Sequence, residues 1–197
     1  MTGQPLPRFI EQIRSRATAS KRRIAFPESS DLRVLEATER LDAMGICDPV
    51  LVDQGPGALE IAAEMVAAGV ADGMVAGAAT TTRDVLRAAI HKIGLATGMA
   101  TVSSAFYMVA TREWEAASQV LTFTDCAVVP YPTANQLAEI ALAAATDRRR
   151  IVGDEPVVAF LSFSTAGSAS GASVDLVRDA VEIVRRRSPT LVVDGEL

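Results

Sequence analysis

The run Asp72-Gly-Met-Val-Ala-Gly-Ala-Ala-Thr-Thr-Thr-Arg-Asp-Val-Leu-Arg87 constrains this chain more than any other stretch. It reads as a short buried strand, a turn of small and hydroxyl residues, and a helix that opens with arginine. Backbone N–H groups, threonine hydroxyls and a cation then converge at the C-terminal end of a strand. That is the position at which open α/β sheets receive phosphate or another small anion.

The same alternation runs through the chain. Lys21 to Pro27 reads as a first strand, followed by a helix capped at Ser29 or Ser30 and stopped at Gly45. Pro49 to Asp53 is the next strand, Leu59 to Ala68 a helix, and Met74 to Ala78 the third strand. Thr81 and Asp84 have capping-box spacing before a helix whose buried face is Val85, Leu86, Ala89, Ile90 and Ile93. Thr101 to Val109 and Val120 to Val129 read as strands joined by a loop around Glu113-Trp114-Glu115. Thr133 and Gln136 repeat the cap before a helix to about Arg149. Pro156 to Phe163 is a nearly continuous apolar run, the pattern of a central strand covered on both faces. A Gly/Ser loop, Ser164 to Gly171, leads into a helix marked by Val174, Val177, Val181 and Val184. Leu191 to Val193 is the last strand. Alternating strands and helices imply a three-layer α/β/α fold with a mostly parallel sheet. A boundary is expected near Thr146 to Glu155, giving a first α/β domain over 1–146 and the beginning of a second over 147–197. The last strand lies so close to Leu197 that the second domain is expected to be incomplete.

Composition narrows the function classes. Hydrophobic residues make up 49% of the 197, enough for a substantial core, and aromatics only 5%, which favours helices packed closely on a Val-rich sheet. The net charge of -5 argues against a nucleic-acid partner. No stretch reaches the roughly 18 apolar residues of a membrane span, and Met1 to Ser20 has no secretory core. It reads instead as an amphipathic helix with Phe9, Ile10 and Ile13 on one side. The cytoplasm is the expected compartment. Cys47 and Cys126 show neither metal-ligand spacing nor a disulfide framework and read as buried small hydrophobes.

Several polar residues have positions suited to chemistry. Arg83 and Arg87 are four apart and share a helix face. With Thr80, Thr81 and Thr82 they form an anion grip, or else a capped helix whose arginines are solvated or paired with Asp84. Spacing weighs these equally. No Walker-type loop or dinucleotide fingerprint occurs. Ser162, Ser164 and Thr165 open a second strand-end loop, and Ser162 lacks the nucleophile elbow of a hydrolase. Ser103, Ser104 and Asp125 stand at buried strand ends. Asp125 either orients a ligand amide or accepts backbone hydrogen bonds, the second being slightly favoured. His91 has no partner pattern. The arginine runs 148–150 and 185–187 fit helix C-termini.

Together these stretches resemble the phosphate acetyltransferases and their phosphate butyryltransferase relatives. The matching segments are Phe26-Pro-Glu-Ser-Ser-Asp-Leu-Arg-Val-Leu35, Ala71-Asp-Gly-Met-Val-Ala-Gly77, Thr81-Thr-Arg-Asp-Val-Leu-Arg87, Thr101-Val-Ser-Ser104, Asp125-Cys-Ala127, Pro132-Thr-Ala-Asn-Gln-Leu-Ala138, Leu161-Ser-Phe-Ser-Thr165 and Val193-Asp-Gly-Glu196. Each is weak alone; eight in the family's order are specific. Ser29 replaces the glycine usual after Pro-Glu, Thr80 stands where a histidine or similar residue often precedes the threonines, and Ala88 replaces a common proline.

The resemblance implies reversible acyl transfer between an acyl phosphate and coenzyme A, with acetyl the first expectation and butyryl the alternative. Coenzyme A would be a co-substrate, with no tightly bound cofactor and no metal. A two-domain fold with the active cleft between its domains, commonly dimeric, is implied as well. In the implied mechanism the coenzyme A thiolate attacks the acyl carbonyl directly and phosphate leaves. Arg87 would neutralise phosphate and developing charge. Thr81, Thr82, Arg83, Ser103, Ser104, Asp125, Thr133, Ser162, Ser164 and Thr165 would bind substrate or coenzyme A. The serine, arginine and aspartate that the family uses most directly are expected beyond Leu197. An acyl-phosphate or acyl-CoA sensor without turnover, or an inactive fragment, is the competing reading.

Overall fold

A computed structural model describes residues 7–52, 55, 57–109, 120–165 and 167–197. Contacts divide the chain into two compact units, Met1–Leu95 and Ala96–Leu197. Thr146 and Asp147, the expected domain seam, both lie within one continuous helix.

The first unit begins with α1 (Arg8–Ala19), which buries Phe9. The strand β1 (Arg23–Phe26) pairs in parallel with β2 (Asp48–Leu51) on one side and β3 (Gly73–Met74) on the other. It is the middle strand of this sheet and is covered on both faces: Ala25 is fully buried, and Phe26, which points to the opposite face, nearly so. Ala25, Val52, Ala58, Ala62 and Ala71 form the core, with Met65, Val66 and Met74 packed against it. Alanines dominate because α3 (Ala58–Ala67) lies close on the strands, and larger side chains would hold it off.

The helix α2 (Leu32–Ala43) is capped by Asp31, whose carboxylate accepts from the Arg33 N–H at 2.9 Å. Neither serine serves as the cap, contrary to expectation. Ser29 is buried, and its hydroxyl donates to the Val52 carbonyl at 2.8 Å, which ties the end of β1 to the end of β2. Asp48 and Val52 donate their N–H groups to the carbonyls of Arg22 and Phe26. By the two-residue alternation of a strand, Pro49 therefore faces away from β1, on the outer margin of the sheet. The helix α4 (Thr82–Lys92) buries Ala88, while Ile90 and Ile93 are each about 40% exposed. Its expected apolar stripe is thus shifted by the way it packs on α3.

In the second unit, β4 (Ala105–Val109) and β5 (Val120–Thr124) form an antiparallel pair. The expected loop around Glu113, Trp114 and Glu115 lies outside the described residues. The helix α5 (Ala134–Ile151) packs Ala138, Ala141 and Ala145 against Val177, Ala180, Val181 and Val184 of α6 (Ala172–Arg187). All four valines of the sequence pattern are buried. Phe160 of β6 (Val157–Phe160) and Leu191, just before β7 (Val192–Gly195), close this core.

The strands β6 and β7 pair in parallel. The run from Pro156 to Phe163 is not covered on both faces as expected. Val157, Leu161 and Phe163 are 75, 69 and 71% exposed, because α5 and α6 contribute one core and Phe160 points into it. Arg148, 13% exposed, pairs with Asp154 at 2.6 Å and donates to the Val120 carbonyl and the Thr122 hydroxyl. It fixes the end of α5 to β5.

Candidate functional site

Three strand-end loops hold the residues singled out by sequence, and in each a carboxylate of the chain itself sits at the centre. In the first unit, Pro27 ends β1 and directs Glu28 under the turn that follows β3. The Glu28 carboxylate accepts four successive backbone N–H groups. Gly77 and Ala78 donate to Oε2 at 2.9 and 2.8 Å, and Ala79 and Thr80 to Oε1 at 2.8 and 2.7 Å. Gly77 adopts φ +117, which a side chain would strain, and so lets the turn curl around the carboxylate. Burial pushes the Glu28 carboxyl up, but the N–H groups outweigh it and bring its pKa down to about 2. Arg33 grips the turn from its carbonyl side, donating to the oxygen of Ala78 at 2.7 Å.

The turn delivers the chain into α4. Thr81 is its N-cap, and the hydroxyl both accepts from the Asp84 N–H at 3.2 Å and donates to the Asp84 carboxylate at 2.7 Å. Thr82 and Arg83 are exposed. Arg87 is exposed and pairs with Asp84 at 2.9 Å. Thr81 and Arg87 are therefore linked through Asp84, with Thr82 and Arg83 exposed on the first turn of α4. The backbone N–H groups of 77–80 do not join them as an open anion cradle, because Glu28 already fills it.

The second loop is built on Asp125. Its carboxylate accepts from the N–H and hydroxyl of Ser104, and from the N–H groups of Ala127, Val128 and Val129. The Ser104 hydroxyl in turn accepts from the N–H groups of Cys126 and Ala127. Burial raises the Asp125 carboxyl, and these donors, Ser104 first, outweigh it and hold its pKa at about 2. Asp125 accepts backbone hydrogen bonds, as the second of the two readings has it. Ser103 is half-buried beside this turn. Cys126 is half-buried rather than buried, with its thiol donating to the Phe123 carbonyl, while Cys47 is buried.

Glu196 organises the third loop. Its carboxylate accepts from the Ser164 hydroxyl, from the Gly167 N–H at 2.9 Å and from Arg178 Nε at 2.7 Å. The Ser164 hydroxyl also accepts from the Ala169 N–H at 3.0 Å. Ser164 is 1% exposed with its hydroxyl fully engaged, so it is part of the loop's framework and not of an accessible surface. Ser162 accepts from the Ser164 N–H and borders an apolar groove of about 380 Å³ with Tyr131, Leu161 and Phe163. Thr165 is exposed. Thr133 makes the reciprocal capping box with Gln136 at the start of α5, an exposed position that its hydroxyl spends on the helix.

Sequence reasoning did not single out Glu28 and Glu196 as centres of loops. The available signal is an acidic residue at a strand's C-terminal end, in Pro27-Glu28 and Gly195-Glu196. Among the described residues no group of three or more His, Cys, Asp or Glu is placed to hold a metal ion, and no helix is long and apolar enough to cross a membrane. His91 is exposed.

The family description "Phosphate acetyl/butaryl transferase" matches residues 8–58 and 54–197, nearly the whole chain. The chain belongs to this family. A phosphate acetyltransferase of Paracoccus denitrificans is 37% identical over 95% of this chain and 72% of its own length. One of Clostridium acetobutylicum is 46% identical over 66% of this chain, and the chain spans only 39% of that relative. A crystal structure of a phosphotransacetylase from Streptococcus pyogenes superposes with a TM-score of 0.86 at 28% identity, covering 98% of this chain and 73% of that one. The α/β architecture is therefore that of the transferase family. One difference is internal. The Paracoccus alignment runs over 229 residues, more than this chain possesses, and the two family matches meet at 54–58.

Proposed function

We propose that this chain works as a phosphate acetyltransferase, moving an acetyl group reversibly between acetyl phosphate and coenzyme A. The observation that carries the reading is the start of α4, where Thr81, Thr82 and Arg87 stand exposed at the positions of the family motif. The transferases similar to this chain over nearly all its length supply the reaction.

In the proposed reaction the coenzyme A thiol loses its proton and its sulfur attacks the acetyl carbonyl carbon. The carbon–oxygen bond to phosphate breaks, the electron pair leaves with phosphate, and acetyl-CoA remains. Arg87 and the threonine hydroxyls would bind the phosphate through charge-assisted hydrogen bonds, and Arg87 would stabilise charge gathered on the leaving oxygens. Arg87 has to exchange Asp84 for phosphate, a small loss because the pair is exposed. Thr165, exposed, and Ser162, half-buried, would offer hydroxyls of the third loop to substrate or coenzyme A, with Ser103 near the second. Coenzyme A is a freely exchanging co-substrate in this reading. The protein is cytoplasmic and homodimeric, and Thr146/Asp147 is the seam between the family's two domains.

Engagement of the 77–80 N–H groups, Asp125 and Ser164 within the chain itself favours a second reading, a module that binds acyl phosphate or coenzyme A without turnover. The experiment follows coenzyme A-dependent loss of acetyl phosphate by the purified chain beside Arg87→Ala, with butyryl phosphate as a second substrate. Turnover that falls at least about a hundredfold in the variant supports the transferase, the size expected for loss of one charge-stabilising donor. Binding without turnover in the folded chain supports the second reading.

A further inference from the structure

Filling of the 77–80 turn by Glu28 has a bearing on where phosphate can bind. A run of backbone N–H groups curled around one point is an anion receptor, and an empty one would compete for phosphate. Here the receptor is occupied from within. Glu28 is 8% exposed and uses both carboxylate oxygens, two N–H groups on each. Its backbone is tied to β1, so the bound anion cannot dissociate. Arg33, on the same connection between β1 and α2, holds the Ala78 carbonyl and is itself held by the Asp31 carboxylate at 2.6 Å. The connection thus clamps the turn through its donors and one acceptor. Thr81 follows immediately, and its cap fixes the first turn of α4 relative to the clamp.

We infer that Glu28 is a positioning residue for the phosphate site: its carboxylate occupies the turn at 77–80 as an internal anion, so that external phosphate is met by the side chains opening α4. The inference rests on the proposed reaction only for its kinetic consequence. Its structural content stands on the clamp.

Replacing the carboxylate makes two opposite demands visible. Glu28→Gln keeps size but offers one oxygen and an NH2 group to four donors, so two N–H groups face a donor. Glu28→Ala opens the receptor. Amide resonances of residues 77–80 and of 82–87 are followed by NMR during titration with inorganic phosphate, in the 197-residue chain and both variants. The expected result is that phosphate moves only the 82–87 set in the wild type, and moves the 77–80 set as well in Glu28→Ala. Sodium formate, a carboxylate free to diffuse, raises the melting temperature of Glu28→Ala relative to sodium chloride at equal ionic strength and leaves the wild type unchanged. Formate also rescues the variant's fold where Glu28→Ala is unfolded alone. Phosphate shifting residues 77–80 in the wild type, or formate without effect on Glu28→Ala, overturns the inference. In the kinetic arm, Glu28→Gln raises the KM for acetyl phosphate about tenfold and leaves that for coenzyme A within about twofold. Equal changes in the two constants overturn it too. Absence of turnover in the wild type would count against the proposed reaction alone, since the NMR and formate results are read without activity.

Discussion

Arg178 donates its Nε to the Glu196 carboxylate at 2.7 Å, and the carboxylate is 1% exposed while the guanidinium is 45% exposed. The pair links α6 to the end of β7. The other Glu196 oxygen holds Ser164 and Gly167, so one side chain ties three pieces of chain together. The Ser164 hydroxyl, the Gly167 N–H and Arg178 together hold the Glu196 carboxyl below its ordinary range. Arg178→Ala is expected to lower the urea midpoint modestly, because its end of the pair is wet. Glu196→Ala is expected to lower it further and to expose the 164–169 loop to proteolysis, since buried donors lose their acceptor. Equal effects of the two substitutions would show that the loop does not depend on Glu196.

Acid stability follows from Glu28 and Asp125. Both carboxyls titrate at about 2 in the folded chain, below the roughly 4 of free carboxyls. The unfolded chain therefore takes up protons first as pH falls. The stability they contribute is complete above about pH 5 and is lost progressively as pH falls from there towards 2. Urea midpoints measured across this range are expected to be flat at the upper end and to drop below it. Asp125→Asn should lower the plateau and flatten the drop.

Gly195 marks a close approach of β7 to β6. A Cβ built there would lie 2.6 Å from the Phe160 Cβ and 2.9 Å from its carbonyl oxygen, and φ is +153. Phe160 belongs to the core and cannot retreat without opening it. Gly195→Ala is expected to destabilise by about 1–3 kcal/mol, the usual cost of overpacking a closed site, as read from urea unfolding. A neutral result would mean that the β6–β7 pair is loose at this end.

The capping box at α5 gives a smaller and separable effect. The Thr133 hydroxyl accepts from the Gln136 N–H, and the Gln136 side chain accepts from the Thr133 N–H. Thr133→Ala is expected to cost about 1 kcal/mol in chemical unfolding. Thr133→Ser should restore the midpoint, because serine presents the same hydroxyl. If serine restores stability but not coenzyme A affinity, Thr133 has a ligand role beyond the cap.

Local rules read well from this sequence. The Val174, Val177, Val181 and Val184 stripe and the caps at Thr81 and Thr133 depend on neighbours within a few residues, and all are present. The strand–helix alternation, again local, predicts the α/β class. Contacts between distant segments were not legible. Glu28 finds Gly77 from 49 residues away, and nothing in either stretch alone shows that the carboxylate will fill the turn. The apolar run at Pro156–Phe163 misleads for a related reason. Hydrophobicity records what a strand can bury, whereas coverage depends on how many elements pack on it. A Gly/Ser loop at a strand end suggests that Ser164 lines a ligand cleft. Its burial depends on Glu196, 32 residues on.

Pro49 sits on the outward side of β2, the marginal strand of the β2-β1-β3 sheet among the described residues. A bare strand margin ordinarily invites another extended chain to zip onto it, the first step of many self-association routes. Proline has no N–H to offer such a visitor, and its ring stands where the incoming strand would lie. An incoming strand therefore meets a broken ladder on that side, which works against strand-by-strand growth of the sheet.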